Sequence, residues 1–192
     1  MYNLIYQLYK LIKSFIDLFL LKINPGDIVY SKLLLMFLIG IDFIANYEAN
    51  IVGIKIFNIV NKKNINILPP SLLQSIIILS GTLLVLFGII YSILMFCKKQ
   101  NRLVQILTSL MAVDITIRIL LIGSVFVLKY SVFAALILLI PLIYWEFILY
   151  IYIFANGFDI NYLKSGIFTL IYMVIQHNLS EVFVHYLIPK TY

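Results

Sequence analysis

The amino-acid sequence predicts an all-α protein: a polytopic membrane helix bundle of about five transmembrane helices, preceded by an amphipathic interfacial helix. Composition is the first reason. The chain has 192 residues, of which 64% are hydrophobic and 11% charged, whereas about 25% of the residues in a soluble domain are charged. The second reason is that several apolar runs reach the roughly 20 residues that a transmembrane helix needs. The third is that most lysines stand at the ends of these runs.

The net charge of +6 has a membrane explanation. Lysines at the ends of transmembrane helices contact lipid headgroups and set the orientation of the chain. We therefore expect the lipid bilayer as a partner and no nucleic acid. The sequence contains no glycine-rich phosphate loop, nucleophile elbow or Cys-x-x-Cys pair. We accordingly expect no cofactor and favour a protein that is not an enzyme.

Residues 1–23 are predicted to form the amphipathic helix. Polar residues recur at steps of four and three and so line one face, with apolar residues on the opposite face. The polar positions are Asn3, Gln7, Lys10, Ser14 and Asp17, and the apolar ones are Ile5, Leu8, Ile12, Phe15 and Phe19. This pattern indicates a helix in the membrane interface, with Lys10, Lys13 and Lys22 directed toward the lipid phosphates. The alternative is a helix packed over the protein's own bundle.

Residues 28–188 are predicted to form a single transmembrane domain. Its five spans are residues 28–47, 71–96, 103–128, 132–155 and 162–188. Pro25 and Gly26 separate the first helix from this domain, because proline cannot continue a helix interior. The apolar stretch that follows Tyr47 is too short to span. Residues 48–70 are therefore interpreted as an interfacial or re-entrant segment that ends in a Pro-Pro break.

Five spans place the two termini on opposite sides of the membrane. The side of the N-terminal helix carries eight lysines and arginines, and the other side carries five. Basic residues are enriched on the cytoplasmic side of membrane proteins. We therefore expect a cytoplasmic N-terminus and a C-terminus outside.

Two stretches carry a resemblance to known proteins. DLFLLKINPGDIVYS, residues 17–31, joins the amphipathic helix to the first span, and KKQNRLVQILTSLMAVD, residues 98–114, runs from a basic loop into the third span. Together they resemble small proteobacterial inner-membrane proteins with the topology of the YIP (Ypt-interacting protein) family. The resemblance implies a multi-pass protein of a bacterial inner membrane with five spans. YIP proteins are associated with membrane trafficking and curvature in eukaryotes, and the resemblance assigns no functional residue.

The third span contains two charged residues, Asp114 and Arg118, four positions apart on one helix face. Ionisable residues at membrane depth are functional-site hypotheses by default. Counted from the turn at Tyr130, Asp114 and Glu146 each lie about 24 Å along their helices. The sequence thus predicts a buried cluster of Asp114, Arg118 and Glu146, in which one carboxyl group stays protonated because two carboxylates outnumber one cation. The alternative is that the cluster only fixes the register of the helices.

The last span carries His177, Glu181 and His185 at steps of four on one face. Histidine and glutamate carry protons and bind metals, so a proton path and a metal site with His177 and Glu181 as ligands are two hypotheses. The third is an ordinary polar helix end, because the spacing differs from the zincin motif H-E-x-x-H. Asp42 is predicted near the same outer end. If the faces converge, Asp42, Glu181 and His185 line a cavity that opens to the outside.

These observations favour a small integral membrane protein that is a structural or assembly partner of other membrane components or organises the membrane. Its partner would be another membrane protein or a second copy of the chain. One alternative is a component of a proton- or ion-coupled transporter or channel that uses Asp114, Arg118 and Glu146. The other is a membrane-embedded lipid-modifying enzyme with Glu146 or His177 as acid or base.

Overall fold

The computed structural model describes residues 2–27, 32–60, 71–128 and 132–187. These residues form six α-helices and two short 3₁₀ turns, Pro25–Asp27 and Gln100–Arg102, and contain no strand. The helices are α1 (Tyr2–Phe19), α2 (Lys32–Val60), α3 (Leu72–Phe96), α4 (Leu103–Leu128), α5 (Val132–Phe158) and α6 (Tyr162–Leu187). The predicted all-α class is confirmed.

Three of these helices are long and apolar enough to cross a membrane. Within the described ranges, the qualifying stretches are Leu72–Phe96, Gln100–Gly123 and Ile140–Phe158. They belong to the second, third and fourth predicted spans. By length and composition, they make the chain a membrane protein.

Helix α2 is longer than the sequence predicts. The first predicted span ends at Tyr47, but the helix continues without a break to Val60. Residues 48–60 contain no proline, and Gly53 weakens a helix by only about 1 kcal/mol, so nothing in this stretch ends it. Residues 48–60 therefore continue the helix of the first predicted span, and their interfacial or re-entrant position stays a prediction. Residues 28–31, where this span was predicted to begin, and the predicted Pro-Pro break lie outside the described residues.

Helix α4 is the centre of the bundle. It packs most extensively against α2 and α5, and it also touches α1 and α3. In its most apolar stretch 61% of the residues are buried, compared with 28% in α3 and 33% in α5. Helix α6 packs against α3 and α5. Polar residues in the middle of α4 are therefore shielded from lipid by neighbouring helices.

Three connections meet at one end of the bundle. In the turn between α3 and α4, Lys99 and Arg102 both form ion pairs with Asp159, which follows α5. Near the start of α4, the Gln105 Nε2 group donates a hydrogen bond of 2.9 Å to the Pro25 carbonyl oxygen, between α1 and α2. Helices α4 and α6 therefore begin at this end, and α3 and α5 finish there.

Three helices end in sharp turns. Leu21, Lys98 and Asp159 follow α1, α3 and α5, and each has a φ between 53° and 56°. After α3, the Lys99 N–H donates back to the Leu94 carbonyl oxygen over 2.8 Å. This is the Schellman arrangement, in which glycine is the usual residue at the positive-φ position. The side chains that replace glycine here cost roughly 1–2 kcal/mol each.

The last turn of α1 packs on the side of the bundle. Leu18 is buried in the main apolar core, and Phe15 and Phe19 pack against it. The Trp145 indole N–H of α5 donates a hydrogen bond of 3.0 Å to the Phe19 carbonyl oxygen. Trp145 stands thirteen residues before the end of α5, so this contact lies about 20 Å along α5 from that end. Such contacts are typical of a helix packed over its own bundle.

The other apolar side of α1 remains exposed. Its exposed apolar residues recur at steps of three and four and so form a stripe. They are Tyr6, Tyr9, Ile12, Ile16 and Leu20, and each is between 48% and 65% exposed. Lys10, Lys13 and Lys22, the predicted interface lysines, are also exposed. Only part of the apolar surface of α1 is therefore used for packing within the chain.

Candidate functional site

Three helices bring charged residues together inside the bundle. Asp42 comes from α2, Asp114 and Arg118 from α4, and Glu146 from α5. Arg118 forms an ion pair with Asp42 and interacts electrostatically with Asp114 and Glu146. We call these four residues the buried charge cluster.

The helical repeat explains how α4 and α5 supply their side chains. Asp114 and Arg118 are four residues apart on α4, and Glu146 and Tyr150 are four apart on α5. Side chains at this spacing lie on one face of a helix. Because α4 and α5 pack extensively against each other, the two faces meet.

The contact between Asp42 and Arg118 joins α2 to α4. The Arg118 Nε atom lies 3.0 Å from Asp42 Oδ1. The Asp42 side chain has no exposed surface, whereas 21% of the Arg118 side chain is exposed. The contact lacks hydrogen-bond geometry, and neither Asp42 oxygen accepts a hydrogen bond from any residue that the structure describes. Asp42 is therefore paired by charge alone.

Asp114 is held differently. Its side chain is buried, and the Tyr150 hydroxyl donates a hydrogen bond to Asp114 Oδ1. Tyr150 is itself fully buried, and its ring lies 5.6 Å from that of Tyr172 on α6 in an edge-to-face arrangement. Glu146 is half-buried and interacts with the Tyr150 hydroxyl as well as with Arg118. A tyrosine thus fixes the acids on the α4 and α5 side of the cluster.

The cluster has more acids than bases. It contains three carboxyl groups and one guanidinium group, so it is electrically neutral only when it holds two protons. An uncompensated charge in a low-dielectric interior is strongly unfavourable. Gain and loss of protons is therefore the chemistry that this arrangement can perform.

The predicted cluster of Asp114, Arg118 and Glu146 is brought together, with Asp42 as its fourth member and Tyr150 as a hydrogen-bonding partner. Tyr150 was missed, although its position four residues after Glu146 could have revealed it. Asp42 was expected to line a cavity open to the outside, but its fully buried side chain contacts Arg118 instead. The reason is that α2 ends eighteen residues beyond Asp42, so this residue is far from a helix end.

The predicted polar face of the last span is described only in part. His177 is exposed on α6 and has an interaction partner. The side chains of Glu181 and His185 lie outside the described part of the structure. Among the side chains that are described, no three His, Cys, Asp or Glu residues are grouped to hold a metal ion.

A second charged group closes the end of the bundle. We call Lys99, Arg102 and Asp159 the loop clamp. Arg102 Nη1 lies 3.0 Å from Asp159 Oδ1 and also donates to the carbonyl oxygen of Asn156 over 3.1 Å. Hydrogen bonds from Lys99 and then Arg102 hold the pKa of Asp159 below its ordinary value. The clamp ties the turn before α4 to the end of α5, so its role is structural.

The fold and the site define an α-helical membrane protein with an ionisable cluster between its helices. A comparison with known proteins finds no family model, no curated protein and no solved structure that matches the chain. Function is therefore inferred from the geometry of the cluster.

Proposed function

We propose that this protein is a component of a proton- or ion-coupled transporter or channel, in which the buried charge cluster binds and releases protons. One observation carries the proposal: a single guanidinium faces three carboxyl groups from three packed helices. Ionisable residues inside membrane bundles are rare and mark proton and ion pathways. A cluster that only fixed helix register would need no surplus of acids.

The cluster links protonation to helix packing. Its acids come from α2, α4 and α5, and all of them interact with Arg118. A proton that binds to one carboxylate removes its attraction to Arg118 and leaves the guanidinium to the other two. The balance of forces between the three helices therefore changes with each proton.

The proposed membrane plan has five spans, α2 to α6, in a bacterial inner membrane, with the N-terminus in the cytoplasm. The end of the bundle at which the three connections meet supports this plan, because it carries Lys98, Lys99, Arg102 and Lys164. Basic residues favour the cytoplasmic side. The exposed stripe of α1 then faces lipid, while the last turn of α1 packs on the side of the bundle.

Proton flux into liposomes tests the proposal. Purified protein is reconstituted with a pH-sensitive dye inside the vesicles, and a pH gradient is applied. Vesicles with the protein should change internal pH faster than empty vesicles, and Glu146→Gln should abolish the difference. Glu48→Gln removes an exposed acid from α2 and is the matched control. Equal rates with and without the wild-type protein would rule out proton conduction.

A role in assembly or membrane organisation is the second candidate. The exposed stripe of α1 favours it, because its apolar residues alternate with the exposed Lys10 and Lys13, as on membrane-surface helices. Native mass spectrometry of protein extracted with its surrounding lipid tests this role. It should show a second copy of the chain or another membrane protein, and Ile12→Ser with Ile16→Ser should reduce that complex. A uniform monomer would contradict an assembly role.

A further inference from the structure

We infer that Asp42 is the coupling carboxylate, whose protonation loosens α2 from the central helix α4. This inference rests on the proposed function, since it names the group through which the cluster acts. It is carried by the hydrogen bonding of the three acids, the position of the single cation and the packing around α2.

Within the described part of the chain, Asp42 is the acid of the cluster that accepts no hydrogen bond and depends on Arg118 alone. Its side chain is fully buried, and neither oxygen accepts a hydrogen bond from the described residues. By contrast, Asp114 accepts a hydrogen bond from Tyr150, and Glu146 interacts with the same hydroxyl. Hydrogen bonds to a carboxylate favour its charged form. A buried carboxylate without them has only its ion pair to offset the cost of its lost hydration.

The charged and titratable groups around Asp42 leave one cation to hold it. They are Arg118 and Asp114 on α4 and Tyr172 on α6. Glu146 and Tyr150 on α5 interact with Arg118 and Asp114. Helix α3, which also touches α2, contains no charged residue. Once Asp42 is protonated, Arg118 still has Asp114 on its own helix and Glu146 on the neighbouring one. The electrostatic attraction that is lost on protonation is therefore the one between α2 and α4.

Apolar side chains also pack between α2 and α4. Leu38 packs with Met111 and Ile115 in a small core of its own, separate from the main core. Apolar packing is non-directional, so it opposes sliding less than a fixed ion pair does. Protonation of Asp42 would thus convert a fixed contact into one that tolerates displacement.

There is space for α2 to move. On its α3 side, Phe43, Ile44 and Tyr47 line a groove of about 410 Å³ with Leu72 and Ile76. Helix α2 packs far less extensively against α3 than against α4. Among the described residues, α2 is therefore held on one side and loosely packed on the other.

Distance measurements between spin labels test this inference. Labels are placed at Phe37 on α2 and Ile119 on α4, both exposed, in a Cys97→Ser background in lipid nanodiscs. The distance distribution should shift as the pH falls from mildly alkaline to mildly acidic. Asp42→Asn should give the acid distribution at every pH. The Glu48→Gln control should behave as the unsubstituted protein.

The results separate this inference from the proposed function. If Asp42→Asn keeps the shift and Glu146→Gln abolishes it, the assignment to Asp42 is wrong and proton coupling through the cluster stands. If the unsubstituted helices do not move with pH, the inference fails even where the liposomes conduct protons. Should Asp42→Asn not fold, Asp42→Glu keeps an acid there, and it should retain the shift at a different midpoint pH. An unchanged midpoint would overturn the assignment.

Discussion

The Arg118 guanidinium lies 3.0 Å from the carboxylate of Asp42, across the interface between α4 and α2. The two residues are far apart in the sequence, and their helices are not consecutive. The contact makes α2 a participant in a charge cluster that α4 and α5 would otherwise form alone. The contribution of this contact to the stability of the folded protein can be measured by thermal unfolding.

Removal of the only cation of the cluster should destabilise the protein more than removal of one acid. Arg118→Gln leaves three acids without a counter-charge, and the loss of one partner from a buried pair costs about 3–5 kcal/mol. Asp42→Asn should cost less, and the double substitution should be more stable than Arg118→Gln alone. Thermal unfolding of the variants measures this coupling. Additive losses would show that Asp42 and Arg118 act independently.

The hydroxyl of Tyr150 should stabilise the cluster through Asp114. Tyr150→Phe removes the donor but keeps the ring, and hydrogen bonds to charged groups contribute about 1.5–3 kcal/mol. Tyr144→Phe is the matched control, because Tyr144 lies on the same helix and is 66% exposed. The comparison is made by thermal unfolding in one detergent. Equal effects of the two substitutions would mean that the hydrogen bond contributes nothing.

The close approach of α5 to α4 should not tolerate a methyl group at Gly157. A Cβ there would lie 2.6 Å from Ile106 Cδ1, and Ile106 is buried. Overpacking of this kind typically costs about 1–3 kcal/mol. At Gly166 a Cβ would lie 3.7 Å from Ile151 Cδ1, an ordinary contact. Gly157→Ala should therefore lower the melting temperature, and Gly166→Ala should not. The reverse order would contradict the α4–α5 packing.

The loop clamp should weaken in acid. The pKa of Asp159 is lowered in the folded protein, first by Lys99 and then by Arg102, from an ordinary value of 3.8. The clamp therefore stabilises the fold above that ordinary pKa, and this contribution is lost as the pH falls through the folded pKa. Asp159 is half-exposed, so solvent and salt limit the contribution to less than about 1 kcal/mol.

Asp159→Asn isolates the charge of the clamp. Asparagine tolerates the positive φ at this position, so the turn is preserved. The difference in melting temperature between the native protein and this variant should shrink as the pH falls below the folded pKa of Asp159, and it should shrink in high salt. A difference that is independent of pH would show that the ion pairs do not stabilise the folded protein.

The sequence predicts the ends of α3 to α6 closely, because polar turns bound their apolar runs. It fails at α2, because nothing in residues 48–60 ends the helix and the polar run NKKN comes only after Val60. Within the site, the spacing of Asp114 and Arg118 and the depth of Glu146 follow from helix geometry and one tight turn. The ion pair between Asp42 and Arg118 does not follow from helix geometry. It depends on how non-consecutive helices pack, and no local pattern encodes that.

Trp145 offers the most direct measurement of proton binding by the buried charge cluster. It is the only tryptophan in the chain, it precedes Glu146, and its indole is held by the Phe19 carbonyl. Its fluorescence is followed through a pH titration of the native protein and of a variant with Asp42→Asn, Asp114→Asn and Glu146→Gln, while circular dichroism monitors folding. We predict a titration in the native protein that is absent from the folded triple variant. The same titration in both proteins, or none in either, would contradict proton binding at the cluster.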